Sequence, residues 1–283
     1  MKILQIEQTG LGMSVQDRGR TGWKKYGVPP GGAMDRHAAR WANRLVGNAD
    51  DAAVLELLLQ GGRLRVLTDW TLAITGADCG GPANWEARVY RAGEVLHFPE
   101  NRNGLWTYIA ATGGFQEALF LGSRAASPRS GIGRQLRAGN VLEVMERTPE
   151  LPPAIARRQP TLAERRDYNH PPPLLIWPGP QKEDFPPEAW RRLISRPWQV
   201  SPRSDRTGYR LQGEPLPTPA HEMISEPVLV GSIQIPPGGH PIVTMRDGPT
   251  VGGYPKIALM EKSSLDWLAQ CRPGVQFHFQ EAV

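Results

Sequence analysis

The sequence has very few cysteines, and this shortage excludes several kinds of protein. Cys79 and Cys271 are the two cysteines in 283 residues. A disulfide-stabilised domain needs more of them, and a zinc site needs ligands that are clustered along the chain. The six histidines are isolated from one another as well. We therefore expect two reduced core thiols and no catalytic metal bound by the protein.

A long apolar run is also missing. No stretch of the sequence approaches the roughly 18 apolar residues that a membrane-spanning helix requires. The first residues alternate between apolar and polar, which is typical of a β-strand and not of a signal peptide. We therefore predict a cytoplasmic protein that makes no membrane contact.

The positive charge is not concentrated in one place. The net charge is +5, but arginines occur along the whole chain and acidic residues are interleaved with most of them. No basic run carries the interleaved aromatic residues of a single-strand binder, and no helix-turn-helix or zinc-finger spacing occurs. Nucleic-acid binding is therefore not expected.

Several catalytic motifs are missing too. There is no Gly-x-Ser-x-Gly segment and no phosphate loop with the pattern Gly-x4-Gly-Lys-Ser/Thr. Gly10 and Gly12 do not begin a dinucleotide-binding fingerprint, because Val15 stands at the third glycine position. No biotin-attachment segment is present either, so any biotin would have to be attached to another polypeptide.

What the chain does have is abundant glycine and proline between short apolar runs. It contains 31 glycines and 28 prolines, and this punctuation is typical of β-rich barrels and sandwiches. The segments that we predict as strands are Arg63–Leu67, Thr71–Thr75, Glu94–Phe98, Trp106–Ala110, Val141–Met145, Leu174–Ile176, Pro241–Met245 and Val275–Phe279.

Few segments have helical periodicity. The clearest helix is predicted from Asp35 to Val46, with an apolar stripe at the spacing i, i+3, i+4, i+7 and Asp35 as its N-cap. A second helix is predicted at Ser264–Ala269. The fold class is therefore mainly β with a few short helices.

Proline also suggests how the chain is divided. Residues 149–173 contain seven prolines and no apolar periodicity, as expected for an extended connector. We therefore predict an N-terminal β-rich lobe at residues 1–150, a connector at 151–173 and a C-terminal β lobe at 174–283. A long loop within a single domain is the alternative.

Three sets of polar residues lie in glycine-rich turns. The first, Ser14–Gly22, includes Asp17 and Arg20 and continues towards the predicted helix, whose N-terminus can bind an anion. A turn that is stabilised by an Asp–Arg ion pair and followed by a helix cap is an equally good interpretation.

The second set lies in Gly231–Gly239, and the third set follows directly in Pro241–Lys256. There an apolar strand leads to Asp247 in a turn, and Tyr254 and Lys256 follow the glycine pair at 252–253. We interpret this set as the floor of a polar pocket, and a long hairpin tip is the alternative.

These segments, in this order, resemble one known family. The matching segments are Gln16–Gly22, Gly32–Asp35, Ala42–Asn48, Leu55-Glu56, Thr75–Asp78, Ala111–Gly114, Leu121–Arg124, Ser204–Leu211, Gly231–Lys256 and Gln270–Gly274. They are similar to the family that contains the C-type subunits of 5-oxoprolinase and the second subunits of allophanate hydrolase, also described as biotin-dependent carboxyltransferase-like, and they cover essentially the whole chain. The chain departs from the family pattern at Pro249, Val251 and Ala125-Ala126.

The resemblance implies an architecture and partners. It implies two lobes of cyclophilin-like β-barrel type. It also implies a B-type partner protein, related to the sporulation-kinase inhibitor, and an A-type partner protein. The expected activity is that of a heteromeric, ATP-dependent 5-oxoprolinase that converts 5-oxo-L-proline to L-glutamate, with ATP bound on a partner protein and no covalently bound cofactor.

The resemblance also suggests roles for individual residues. Asp17, Arg20, Asp247 and Lys256 are predicted to be catalytic, by positioning a small amide that carries a carboxylate and by stabilising developing negative charge. The predicted substrate-binding residues are Gln16, Asp35, Arg206, Gln234, Thr250 and Tyr254. We expect the glycine-rich bends from both ends of the chain to line one shared hollow.

Two other functions stay open at this point. One is the carboxyltransferase half of a urea carboxylase or allophanate hydrolase system, with biotin on a separate carrier. The other is a non-catalytic antagonist that binds a kinase-inhibitor protein.

Overall fold

Short strands dominate the chain and group into two compact units. The computed structural model describes residues 1–145, 159–219 and 223–283. Unit 1 comprises Met1–Arg20 and Gly31–Asp167, and unit 2 comprises Thr21–Pro30 and Tyr168–Val283. Each unit has its own sheets, and each is described separately below.

Unit 1 contains ten strands and one α-helix within the described residues. The strands are β1 (Lys2–Thr9), β2 (Met13–Gln16), β3 (Val54–Leu58), β4 (Gly62–Val66), β5 (Trp70–Asp78), β6 (Glu86–Tyr90), β7 (Val95–Phe98), β8 (Asn103–Ala111), β9 (Phe115–Gln116) and β10 (Val141–Val144), and the helix is α1 (Arg36–Leu45).

These strands form two antiparallel five-stranded sheets. One has the order β7-β4-β1-β10-β9 and the other the order β2-β3-β8-β5-β6. Alternate side chains of both sheets enter a common apolar core, for example Ile3 in the first sheet and Leu55 and Ile109 in the second. Each such side chain, fully buried, contributes about 1.5–3 kcal/mol relative to exposure. The core therefore fixes which residues face away from it.

Helix α1 packs on the other face of the second sheet, against β5 and β8. Its start follows from Asp35, whose carboxylate accepts a hydrogen bond from the Ala38 N–H at 3.0 Å. Thr75 on β5 donates its hydroxyl to the Ala38 carbonyl at 2.7 Å. This face of the sheet also carries Glu56 and Tyr108, so the helix start lies over two buried polar side chains.

Unit 2 contains the remaining strands and helices of the described residues. The strands are β11 (Leu174–Pro178), β12 (Trp198–Val200), β13 (Gly208–Gln212), β14 (Glu226–Pro227), β15 (Ser232–Gln234), β16 (Ile242–Thr244), β17 (Val251–Gly252), β18 (Lys256–Met260), β19 (Gln276–Phe277) and β20 (Phe279–Glu281), and the helices are α2 (Pro187–Ser195) and α3 (Lys262–Gln270).

The main sheet of unit 2 is a nearly closed barrel. Its eight strands have the order β19-β12-β13-β16-β15-β18-β11-β20. The two end strands, β19 and β20, are separated in sequence only by His278, so one continuous segment belongs to both edges of the sheet. Strands β14 and β17 pair with each other in a separate two-stranded ribbon.

The mainly β fold with a barrel sheet and a few short helices is confirmed. Helix α1 and its Asp35 cap agree with the prediction, and α3 is longer than the predicted Ser264–Ala269. Three details were wrong. Residues 14–16 were assigned to a loop but lie in β2, Val275–Phe279 contains two short strands and not one, and α2 was not predicted.

The predicted division of the chain differs from the two units in detail. Residues 21–30, assigned to the N-terminal lobe, group with unit 2. Of the predicted connector, residues 151–158 lie outside the described residues, residues 159–167 belong to unit 1 and residues 168–173 belong to unit 2. The lobe boundaries themselves stay a prediction.

Candidate functional site

Asp17 fixes a turn in unit 1 through both carboxylate oxygens. Oδ1 accepts from the Gly19 N–H and the Ser123 hydroxyl, each at 2.7 Å, and Oδ2 accepts from the Arg124 N–H at 2.6 Å. Its own carbonyl accepts from the Ala33 N–H at 3.0 Å. An ionised carboxylate with three donors is a strong structural anchor, so Asp17 ties its turn to the segment at 123–124.

Gln16 and Arg20, which flank Asp17, are both buried. The Gln16 side-chain amide donates to the Ala126 carbonyl at 2.9 Å, while its Oε1 has no hydrogen-bond donor among the described residues. Arg20 donates to the Ala125 carbonyl, and its guanidinium lies 5.8 Å from the centre of the Phe120 ring. Both side chains therefore reinforce the attachment that Asp17 makes.

Asp35 belongs to a buried polar group that includes two residues not predicted for the site. Its backbone N–H donates to the Tyr108 hydroxyl at 2.7 Å, and that hydroxyl donates to Glu56 at 2.9 Å. Glu56 also accepts from the Met34 N–H at 2.8 Å. Burial, with Glu56 and Asp35 nearby, raises the pKa of Tyr108 well above its ordinary value. Glu56 and Tyr108 thus hold the segment that leads into α1.

Asp17 also borders two surface cavities of unit 1, with volumes of about 290 and 260 Å³. Both cavities share Arg18 and Asp51, whose side chains form an exposed ion pair at 3.2 Å. Arg36 and Arg40 of α1 line the larger one. The Asp17 carboxylate therefore lies next to open space, although its hydrogen bonds point into the loop.

In unit 2, Arg206 and Asp247 bind each other. Arg206 Nε donates to Asp247 Oδ2 at 2.9 Å and Nη2 donates to Oδ1 at 3.1 Å. The Asp247 N–H also donates to the Arg206 carbonyl at 2.8 Å. Two side chains that were predicted to contact the substrate therefore contact each other.

Lys256 is a buried cation beside a cavity. Its side chain is 5% exposed and its ammonium pairs with Glu226, whose side chain is 39% exposed. Gln181 joins the pair, since its amide donates to the same Glu226 oxygen at 2.7 Å while its Oε1 accepts from the Lys256 N–H at 3.2 Å. The Lys256 ammonium holds the pKa of Glu226 below its ordinary value.

The cavity beside Lys256 has a volume of about 260 Å³. Apart from Lys256 and Glu226, Ser232 is the polar residue in its lining. The rest of the lining is apolar and comes from Pro180, Pro227, Leu229, Ala258 and Leu259. A buried ammonium on an apolar wall is suited to bind a small anion, or to stabilise charge that develops on a small ligand.

Three other predicted residues belong to unit 2 but are not part of the cavity lining. Gln234 pairs with Lys256 across neighbouring strands, and its amide donates to the Thr244 hydroxyl at 2.8 Å. Thr250 accepts the Val228 N–H through its carbonyl at 3.0 Å, and Tyr254 is 45% exposed just after the ribbon. The structure therefore places Gln234 opposite Lys256, and it shows no hydrogen bond or ion pair of Thr250 or Tyr254 with Lys256 among the described residues.

The predicted residues divide between the two units. Asp17, Arg20, Gln16 and Asp35 belong to unit 1, and the others belong to unit 2. The shared hollow lined from both ends of the chain stays a prediction.

Sequence reasoning missed Glu226, Gln181, Glu56 and Tyr108. Glu56 and Tyr108 had a recognisable signal, since each is a polar group within an apolar strand. Glu226 and Gln181 had none, because they lie far apart in sequence, Glu226 in the two-residue strand β14 and Gln181 in the turn after β11.

Neither a metal-binding cluster nor a membrane-spanning helix occurs in the part of the chain that the structure describes. Among those residues, no group of three or more His, Cys, Asp or Glu side chains is arranged to hold a metal ion. None of the helices described there has the length and apolar character needed to cross a bilayer.

Comparison with known sequences gives matches over nearly the whole chain. Residues 26–281 match the family model described as carboxyltransferase domain, subdomain A and B. The chain is 33% identical to the C subunit of 5-oxoprolinase from Escherichia coli, with 98% of this chain and 90% of that protein covered. It is also 28% identical to urea amidolyase of Saccharomyces cerevisiae, where the match covers 98% of this chain and 16% of the other.

Solved structures agree with these matches. The protein TTHA0988 superposes with a TM-score of 0.88 at 35% identity over 99% of this chain. The urea carboxylase of Kluyveromyces lactis superposes with a TM-score of 0.85 at 26% identity over 99% of this chain. The chain spans 56% of the TTHA0988 chain and 27% of the urea carboxylase chain.

Proposed function

Because the chain belongs to the carboxyltransferase domain A and B family, we propose that it is one component of a heteromeric, ATP-dependent 5-oxoprolinase. The reaction would hydrolyse the ring amide of 5-oxo-L-proline to L-glutamate, with water supplying the new carboxylate oxygen and with ATP cleaved to ADP and phosphate. The observation that supports this choice is the similarity to proteins named as the C subunit of 5-oxoprolinase, which extends over most of both chains in each of two bacteria.

The proposal requires partner proteins. The relatives are named as a single subunit of 5-oxoprolinase, and the chain spans 56% of TTHA0988. We assign the missing functions to a B-type and an A-type partner protein, with ATP bound on one of them.

Lys256 is the residue to which we assign direct contact with the substrate. 5-oxo-L-proline carries a carboxylate, and a buried ammonium attracts such a charge more strongly than an exposed one. Lys256 lines a cavity and its side chain is 5% exposed. Gln234, Thr250 and Tyr254 stay predicted substrate-binding residues outside the cavity lining.

The other predicted catalytic residues are given positioning roles. Asp17 and Arg20 hold their loop against the segments around 120 and 123–126, with Gln16 in support, and Asp35 sets the start of α1. Asp247 holds Arg206. We assign to these six residues the maintenance of loop geometry, because each of them makes at least one hydrogen bond to another segment of the chain.

Carboxyl transfer is the second candidate function. It is favoured by the match to the urea carboxylase structure at a TM-score of 0.85 and by the urea amidolyase relatives. Biotin would be carried by a separate polypeptide. An avidin blot of the purified complex separates the two candidates, since a biotinylated component is expected only for carboxyl transfer.

The direct test of the proposal is reconstitution. The chain is coexpressed with the A-type and B-type partner proteins of the same genome, and the purified complex is given 5-oxo-L-proline and ATP. Release of L-glutamate that requires all three proteins supports the proposal. A complex that forms but releases no glutamate, and instead consumes urea and bicarbonate with ATP, contradicts it.

A further inference from the structure

The carboxylate of Glu226 is bound by Lys256 and Gln181 in the way that the carboxylate of a separate ligand could be bound. One of its carboxylate oxygens accepts hydrogen bonds from the Lys256 ammonium and from the Gln181 amide. An ammonium and an amide N–H that converge on one oxygen form a carboxylate-binding pair. Lys256 lies at the buried side of this pair, and Glu226 approaches it from the solvent side.

The space beside this pair is suited to the rest of a small acid. The adjoining cavity measures about 260 Å³, which is below the range of about 300–1,000 Å³ typical of pockets for drug-sized ligands. Its wall is apolar apart from Lys256, Glu226 and Ser232. A ligand with one carboxylate and a small ring or short chain therefore matches both its size and its polarity.

The element that carries Glu226 lies outside the barrel sheet. Glu226 lies in β14, a strand of two residues that pairs only with the two-residue β17 among the described strands. A two-stranded ribbon is marginally stable by itself. Moving Glu226 away from Lys256 therefore need not disturb the hydrogen bonds of the barrel sheet.

We propose that Lys256 and Gln181 form a binding site for the carboxylate of a small acid, and that Glu226 fills this site in the free chain and is displaced when the ligand binds. The identification of that acid as 5-oxo-L-proline rests on the proposed function. The site itself requires only a small carboxylate, so the affinity of the chain for its ligand is set by competition with its own Glu226.

The test is direct binding to the purified full chain, without turnover. Dissociation constants for acetate, L-lactate and 5-oxo-L-proline are measured by NMR titration for the unaltered chain and for Glu226→Gln. Removing a partly screened ion pair of about 1 kcal/mol should tighten carboxylate binding by roughly five- to tenfold. The affinity for the neutral carboxamide of 5-oxoproline should not change.

Two further variants make the result specific. Lys256→Met should lose the carboxylate binding in either background. Glu183→Gln removes an acidic side chain that is 91% exposed in the same unit, and it should leave every dissociation constant unchanged. Glu226→Ala, which also removes the Gln181 acceptor, should behave like Glu226→Gln.

The proposal is overturned if Glu226→Gln and Glu226→Ala bind none of the three acids more tightly than the unaltered chain. It is also overturned if the carboxamide gains as much affinity as the acid. Tighter binding of acetate or lactate but not of 5-oxo-L-proline would support the carboxylate site and contradict the proposed substrate. Reconstituted glutamate release is measured separately, so the two proposals can fail independently.

Discussion

Arg206 and Asp247 face each other through two parallel hydrogen bonds, with Nε–Oδ2 and Nη2–Oδ1 distances of 2.9 and 3.1 Å. Their side chains are 16% and 6% exposed. The planar guanidinium matches the carboxylate in this arrangement, and little water screens the pair. The pair therefore stabilises the turn at 205–208 and the turn at 245–248 against each other.

Removing one partner of this pair should be costly. Arg206→Ala leaves the Asp247 carboxylate largely buried without its cation, and we expect a loss of about 2–3 kcal/mol in the free energy of unfolding. Urea-induced unfolding followed by circular dichroism measures this loss. Arg196→Ala is the control in the same unit, because Arg196 and Glu214 form an exposed pair with an Nε–Oε2 distance of 3.4 Å. This substitution should lower the free energy of unfolding by less than about 1 kcal/mol. Equal losses for the two variants would contradict the structural role of the Arg206–Asp247 pair.

Asp17 should behave as an anchor. Asp17→Asn replaces one acceptor oxygen by an NH₂ group, which would face an N–H or O–H donor in the loop. We expect a loss of about 1–3 kcal/mol in the free energy of unfolding. Asp51→Asn, in an exposed pair with Arg18, should change stability by much less. If Asp17→Asn unfolds at the same urea concentration as the unaltered chain, the hydrogen bonds of Asp17 do not stabilise the fold.

In the turn at 120–123, substitutions at two neighbouring residues should change the stability of the chain in opposite directions. Leu121 and Gly122 have φ values of 51° and 79°, as in a type I′ turn, where Asn-Gly is preferred. Leu121→Asn should stabilise the chain by about 1 kcal/mol, since leucine is strained in this conformation. Gly122→Ala should destabilise it by about 1 kcal/mol through backbone strain alone, because a Cβ there meets no atom within 4 Å. The midpoint temperature of thermal unfolding measures both changes. A shift of this temperature in the same direction for both variants would contradict the turn assignment.

The two thiols should be unreactive while the chain is folded. Burial raises the pKa of Cys271 to about 12 and also raises the pKa of Cys79. Since the thiolate is the nucleophile, a higher pKa leaves less of it at about pH 8, below the ordinary thiol pKa of about 8.5. A thiol reagent such as DTNB should therefore detect no thiol in the native chain and both thiols after denaturation. Rapid labelling of the native chain would contradict the burial of these side chains.

Sequence patterns were sufficient where a whole element repeats a simple spacing. The apolar stripe and the cap at Asp35 gave α1 correctly, and alternation with glycine and proline gave the β class. Helix α2 was missed because its run is short and begins at Pro186-Pro187, which resembles a turn, although proline is common at the first position of a helix.

Side-chain partners were much harder to predict. The motif around Gln16 and Asp17 was recognised, but its dependence on the distant Ser123 and Arg124 is a tertiary contact that no local spacing encodes. The same holds for Lys256, which was selected from the sequence without its partners Glu226 and Gln181. Local patterns thus identified which segments carry polar groups. The fold determined which of those groups are already hydrogen-bonded or ion-paired within the chain.

The activity of the reconstituted complex with a single substitution at Lys256 tests whether this side chain contacts the substrate. The variant Lys256→Met keeps the length of the side chain and removes its charge, and Lys262→Met makes the same change at an exposed lysine of α3. We predict that the complex with Lys256→Met assembles normally and releases L-glutamate from limiting 5-oxo-L-proline with ATP at least about 100-fold more slowly, while Lys262→Met matches the unaltered complex. Undiminished glutamate release by an assembled Lys256→Met complex would show that Lys256 does not contact the substrate.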